Sequence, residues 1–240
     1  MTRKWVQPAT AGLLFAGFLA LYVSTRSISL DDFDSFNFAR AIDRFDLRLN
    51  QPQPPGYPVY IFLARLLDLL VRNHQNALTL LSAVCGAAGV LAFFGLARDV
   101  GSGWAALPLA VTPLFWLSSG MALSDVPGLA FAIGAVWLVE RGVRRLNARD
   151  ARRVGDPSLY AQGDKRRGVL LALGCALAGI AAGVRPQDAV VPLGVILFWA
   201  IPKLWSWRLL AVGAGSFIGA CLLWAVPLAL TFPSLSQAWT

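Results

Sequence analysis

Three carboxylates within four residues, Asp31, Asp32 and Asp34, open the polar stretch Ser29–Pro58. Carboxylates set this close suit proton transfer. A charged neighbour holds one of them ready to accept a proton from a hydroxyl, and like charges at short range raise the pKa of at least one member. Phe36, Ala39, Ile42 and Phe45 follow at intervals of three, with Arg40, Asp43 and Arg44 between them. That spacing predicts an amphipathic helix lying flat on a membrane surface, with Asp34 or Ser35 as its N-cap. The acidic cluster then sits at the positive end of a helix dipole, which favours ionised carboxylates. A solvated capping turn would carry the same residues. The stretch closes on Gln51-Pro-Gln-Pro-Pro-Gly-Tyr-Pro58, four prolines in eight residues. Such a backbone is stiff and fixes the angle at which the chain re-enters a helix, whether as a plain linker or as a positioned loop.

Two further groups have the right chemistry. Asp125, in Leu123-Ser-Asp-Val-Pro-Gly128, begins an apolar run, and Pro127 suits a first helical turn. Asp125 is therefore a helix cap, a site residue, or both. Arg185 starts the short turn Arg185-Pro-Gln-Asp188 between two apolar runs. A guanidinium there needs a partner: Asp188, a carboxylate of the acidic loop, or a phosphate, whose oxygens its planar fork binds in pairs. Snorkelling to lipid headgroups is the alternative for Arg185. His74, the sole histidine, stands in the polar connector Arg72-Asn-His-Gln-Asn76 beside no motif and is expected to be solvated. The cysteines Cys85, Cys175 and Cys221 have no metal or redox spacing and belong to apolar runs.

The elements that position these residues are apolar. Of 240 residues 57% are hydrophobic and 14% charged, with a mean hydropathy of +0.60, against about 25% charged in a soluble domain. The expected fold class is an all-α polytopic membrane protein, a bundle of about seven transmembrane helices with amphipathic juxtamembrane helices in the first outer loop. The expected spans are Trp5–Val23, Ala77–Ala97, Gly103–Ser119, Asp125–Val139, Gly168–Val184, Ala189–Ile201 and Leu209–Thr231. Val59–Val71, apolar but carrying Arg65 and Asp68, falls short of the ~20 residues needed to cross and is expected at the interface or against the bundle. Trp205, Trp207 and Arg208 read as an interfacial belt. The chain is expected to form one transmembrane domain over 1–240, with an outer loop at 27–76 and a basic cytoplasmic loop at 142–167. Gly86-Ala-Ala-Gly89 and Gly179–Gly183 read as helix-packing faces.

The net charge of +8 comes from loop residues, so it sets topology and does not indicate nucleic acid. With the N-terminus in the cytoplasm, most Lys and Arg fall inside. The acidic loop, Asp125 and Arg185 then share the outer face. Charges at span ends on one face argue against a transporter, which places them mid-span.

An acidic motif directly after the first span, an aromatic-rich helix, then Gln51-Pro-Gln-Pro-Pro-Gly-Tyr-Pro58, resembles the first outer loop of GT-C membrane glycosyltransferases. Bacterial members of the protein O-mannosyltransferase and aminoarabinose transferase group are similar. The resemblance implies an enzyme that takes a hexosyl or pentosyl group from a polyprenyl-phosphate donor and gives it, with inversion, to a hydroxyl acceptor on a protein, lipid or glycan. It also implies a bacterial inner (plasma) membrane location with the active site on the periplasmic side. Asp34 matches the catalytic Asp best by spacing, with Asp32 and Asp31 as near alternatives. Asp125 matches an acidic residue that starts a later span, and Arg185 matches a phosphate contact. Gln53, Pro55 and Tyr57 belong to the loop expected to touch substrate. The cofactor requirement stays open: a positioned Arg can neutralise the leaving phosphate. A divalent ion, Mg or Mn, held by Asp32, Asp34 and Asp125 can do the same work. Relatives often have Asp-Glu where this chain has Asp34-Ser35, and they are usually longer, so a truncated form or an N-terminal portion is expected. The rival class is a non-catalytic membrane protein, a transporter or a lipid-binding scaffold.

Overall fold

In the computed structural model the described residues are 8–144, 157–200 and 207–231. All regular structure among them is helical, apart from one isolated bridge between Asp46 and Gln51. The expected start of the first span at Trp5, Trp205 of the interfacial belt, and the final residues 232–240 lie outside the described residues.

The chain forms two compact units, Met1–Ala130 and Phe131–Thr240. The first contains α1 (Pro8–Ser24), α2 (Phe33–Asp43), α3 (Pro58–Val71), α4 (His74–Val100), α5 (Ala106–Val111), α6 (Pro113–Ser118) and the first turns of α7 (Asp125–Arg144). Its core gathers Tyr22, Ala83, Ala87, Val90, Ala106, Ala110, Phe115 and Val126. Small residues on α4 let neighbours approach closely, the usual way helices pack where lipid removes the hydrophobic drive between them. A Cβ on Gly86 would stand 2.6 Å from Ser119 Oγ, and one on Gly89 would stand 3.2 Å from Ala130 Cβ. Gly86-Ala-Ala-Gly89 is thus a packing face, as expected. Tyr22 carries a long-range polar contact of this core, its hydroxyl donating to Ala110 O at 2.9 Å.

The expected span Gly103–Ser119 is not one helix. A 3₁₀ turn at Gly103–Ala105, α5 and α6 replace it. Pro113 forces its predecessor out of the helical region, and Thr112 accordingly has ψ 127°.

In the second unit, the rest of α7 packs with α8 (Pro157–Val184) and α9 (Trp207–Leu230). Val139, Val143, Leu171, Cys175 and Leu209 form their shared core. Gly179 touches α9 directly, where a Cβ would lie 2.8 Å from Ala220 Cβ, and Trp224 Nε1 donates to Gly179 O at 2.9 Å. The expected basic loop is shorter than the sequence suggests. α7 runs to Arg144 and α8 starts at Pro157, so 157–167 are helical, while 145–156 lie outside the described residues. The expected span Ala189–Ile201 is a 3₁₀ turn (Pro186–Ala189), a short helix (Val190–Gly194) and a π-helical turn (Val195–Ala200).

Among the described residues three helices are long and apolar enough to cross a membrane, His74–Val100, Asp125–Val143 and Trp207–Leu230. Shorter apolar stretches are Thr10–Ser24, Gly168–Val184 and Pro186–Phe198. The described residues therefore do not reach the expected seven spans: the third is broken at Pro113, the sixth is irregular, and the first and fifth appear as the shorter stretches Thr10–Ser24 and Gly168–Val184. α3 behaves as an edge element. It is too short to cross, buries Tyr60, Ile61 and Ala64 against the bundle, and exposes Phe62, Leu66, Leu69 and Leu70.

One glycine joins the loops at the end of the first unit where α1 finishes and α7 begins. Gly120 O accepts from Ser27 N at 3.0 Å, and a Cβ on Gly120 would stand 2.8 Å from Arg26 Cα. Backbone on the far side cannot rotate away, so Gly120→Ala is expected to cost about 1–3 kcal/mol, as overpacking does. It should appear as a lower melting temperature in detergent. Gly17→Ala, where a Cβ meets nothing within 4 Å, is the matched control.

Candidate functional site

The site is built at that end of the first unit. After α1 the chain is laced to its neighbours: Trp116 Nε1 donates to Thr25 Oγ1 at 2.8 Å, Ser27 N to Gly120 O at 3.0 Å, and Gln75 Nε2 to Ser27 O at 3.2 Å. These bonds bring the acidic stretch beside the segment that leads into Asp125. Arg185 belongs to the second unit.

The three carboxylates have different surroundings. Asp31 is exposed, and both its oxygens accept hydroxyls, Oδ2 from Ser27 Oγ at 2.6 Å and Oδ1 from Ser29 Oγ at 2.5 Å. The Ser27 bond, then the Ser29 bond, hold its carboxyl below the usual range. A depressed carboxyl braces the loop at neutral pH and loses that effect as pH falls through its lowered value. Asp32 is the N-cap of α2: its backbone is extended, Oδ1 accepts from Asp34 N at 2.8 Å, and its N–H donates to Ser35 Oγ at 3.2 Å. This closed capping box corrects the expected cap at Asp34 or Ser35. The chain is already helical at Phe33, so only Asp32 has the extended backbone a cap needs.

Asp34 is thereby placed in the first turn of α2, half-buried. One turn on, the same face presents Asn37, 3% exposed, whose Nδ2 has no hydrogen-bond partner. The residue that seats α2 is Phe38, 1% exposed, not Phe36, which is 52% exposed. Phe38 meets Tyr57 edge-on at 5.1 Å and Tyr60 at 4.9 Å. The expected period of three ran on to Phe45, but the helix ends at Asp43. At that end Arg65 reaches over from α3, Nε donating to Ile42 O and Nη2 to Ala41 O, both at 2.8 Å. It satisfies carbonyls that a helix end otherwise leaves open.

The proline-rich loop is a closed turn. Asp46 and Gln51 exchange backbone hydrogen bonds at 2.6 and 3.0 Å, and Gly56 N donates to Gln53 O at 3.0 Å. Gln51–Pro52 and Pro54–Pro55 are cis. Pro55 is exposed, whereas both amide atoms of Gln53 are buried without hydrogen-bond partners. Tyr57 caps α3 with φ 45°, a left-handed conformation that bulky residues rarely adopt. Its ring contact with Phe38 is part of what holds it there.

Asp125 is exposed in the first turn of α7 and follows the buried Ser124. Ser82 Oγ, on α4, donates to Leu123 O at 3.1 Å and fixes this segment. Beneath it lies Tyr60, fully buried. Burial drives its phenol well above the ordinary range; the Ser82 hydroxyl pulls the other way, and Cys85 and Asp125 add to the rise. Tyr60, Asn37, Ser82 and Arg65 were not singled out as site residues from sequence, because each occurs in an apolar or amphipathic run without a motif. His74 departs from its expected solvated setting. Its Nε2 lies 3.3 Å from Asp43 Oδ1 and 3.5 Å from Asp68 Oδ2, joining the ends of α2, α3 and α4 when protonated.

In the second unit Arg185 has extended backbone and closes α8, its N–H donating to Ala181 O at 2.8 Å. With the Gln187 amide oxygen turned toward it, Arg185 Nε and Nη2 donate to that oxygen at 2.5 and 3.2 Å. An amide neighbour, not foreseen from sequence, thus joins the expected carboxylate or phosphate as a partner. Among the described residues no set of three His, Cys, Asp or Glu side chains is placed to hold a metal ion. Of the expected ligands, Asp32 has Oδ1 engaged as the cap of α2.

Residues 51–151 match the family described as dolichyl-phosphate-mannose-protein mannosyltransferase. The match takes in the proline-rich loop, α3 to α6, and α7 with Asp125; it supports a GT-C-like mannosyltransferase family and an integral membrane protein. No curated protein and no solved structure matches the chain.

The capping role of Asp32 separates structure from chemistry. Asn caps as well as Asp, whereas Ala leaves a backbone donor open at a cost of about 1 kcal/mol. Asp32→Asn is therefore expected to retain stability, and Asp32→Ala to speed amide exchange in the first turn of α2, read by hydrogen exchange over residues 33–36.

Proposed function

We propose that the chain is a membrane glycosyltransferase that moves a sugar from a polyprenyl-phosphate donor to a hydroxyl acceptor, with Asp34 as general base. The observation that carries this reading is the placement of Asp34. A capping box at Asp32 sets it, half-buried, in the first turn of α2. Residues 51–151, which include the proline-rich loop and Asp125 but not Asp34, match a mannosyltransferase family. Asp34 takes the proton of the acceptor hydroxyl as the oxygen attacks the anomeric carbon. The bond to the phosphate oxygen breaks on the opposite face, which inverts the centre. The leaving group is already a phosphate, so no strong acid is needed, and the transition state carries oxocarbenium character. Asp125 orients the acceptor or the loop, and Gln53, Pro55 and Tyr57 line the approach. Asp31 serves as the loop brace.

The lean of Lys and Arg toward one side of the apolar runs supports a cytoplasmic N-terminus and chemistry at the outer, periplasmic face of a bacterial plasma membrane. For Arg185 the support is chemical: a half-buried guanidinium at a helix end suits the donor phosphate. A polyprenyl-phosphate sugar and a hydroxyl on protein, lipid or glycan are the partners this reading requires.

With membranes and radiolabelled polyprenyl-phosphate mannose, Asp34→Asn is expected to insert normally and lose about 10²–10⁴-fold in transfer. Full turnover by this variant removes Asp34 as the base, and loss in Asp32→Asn instead moves the role there. Arg185→Ala is expected to raise KM for the donor and Arg185→Lys to recover part of it; a KM that stays put refutes the phosphate contact.

A further inference from the structure

Tyr60 has a hydroxyl whose presence packing does not explain. Its ring is fully buried and edge-on to Phe38 at 4.9 Å, a contact that phenylalanine would make equally well. Its Oη is buried and has no hydrogen-bond partner. The Ser82 hydroxyl on α4 is its polar neighbour and close enough to act on the phenol, but the pair falls outside hydrogen-bonding geometry, and Ser82 gives its own proton to Leu123 O at 3.1 Å. Asp125 is near enough to act on the phenol through its charge, and its own side chain is exposed. A phenol held in apolar surroundings without a partner destabilises the fold, and buried polar groups are otherwise nearly always satisfied. The hydroxyl is explained if its partner arrives with the substrate.

We propose that Tyr60 Oη hydrogen-bonds a neutral hydroxyl of the bound substrate, alongside Asp125, and so orients the reacting group above α3. The ligand is a hydroxyl and not the phosphate. Burial keeps the phenol neutral, and the Asp125 carboxylate beside it repels an anion while accepting a hydroxyl proton. That hydroxyl belongs either to the transferred sugar or to the acceptor. The assignment rests on the glycosyltransferase reading, and its substrate enters past the exposed Asp125.

The test uses the full chain in detergent and compares wild type with Tyr60→Phe. Without ligand the variant is expected to melt at the same temperature or higher, because an unmet polar atom has gone. Polyprenyl-phosphate mannose should raise the wild-type melting temperature more than polyprenyl phosphate alone. In the variant that sugar-dependent increment should vanish, with KM for the donor raised roughly two- to tenfold, the value of one neutral hydrogen bond. If the increment persists but turnover on a threonine-rich peptide falls with a raised peptide KM, the hydroxyl is the acceptor's. A lower melting temperature of ligand-free Tyr60→Phe shows a hydroxyl satisfied within the fold and overturns the proposal, as do unchanged increments together with unchanged kinetics. Retained turnover in Asp34→Asn alongside a lost increment in Tyr60→Phe would sink the base assignment alone. Wild type unmoved by either lipid would overturn both.

Discussion

The seating of Phe38 between Tyr57 and Tyr60 is the contact on which the arrangement of the first unit depends. α2 has only eleven residues, too few to be stable alone in water. It persists because an aromatic side chain is sunk into α3 and because Arg65 reaches back to its open carbonyls. Both anchors come from one neighbouring helix, so α2 and α3 behave as a single body. The half-buried Asp34 is carried on that body. Tyr57 links it to the proline-rich turn, since its left-handed backbone and its ring contact share one residue.

Much of this was legible in the residues. The apolar runs, the small-residue faces of α4 and α8, the edge character of α3 and the acidic entry to α2 follow from composition, spacing and length. What stayed hidden depended on partners distant in sequence. The choice of Asp32 over Asp34 as cap turns on where the chain leaves its extended form, and three neighbouring acids offer the same side chain for it. The anchoring role of Phe38 over Phe36 depends on which face meets α3, and an aromatic every other residue is compatible with either. Arg65 looked like an impediment to crossing; it is a long-range cap, visible only once α2 and α3 are side by side. The break at Thr112–Pro113 was available from the proline itself, but overall hydropathy concealed it.

The neighbourhood of Asp34, Asn37, Gln53 and Tyr60 holds several buried polar atoms without hydrogen-bond partners. Several other buried hydroxyls of the same unit are satisfied: Tyr22 finds Ala110 O, Ser119 finds Phe115 O, and Thr79 finds Gln75 O. Asp68 Oδ1, toward the other end of α3, is unmet as well, so unmet hydrogen-bonding capacity is not confined to the acidic end.

The lacing of the first loop has a consequence for how such a protein can diversify. Gly120, Ser27 and Leu123 each offer a main-chain carbonyl to their partners, and the glycine has no room for a Cβ. A main-chain oxygen stays in place whatever side chain its residue carries, so Leu123 can change, while Gln75 and Ser82, whose side chains supply the donors, hold the stitching.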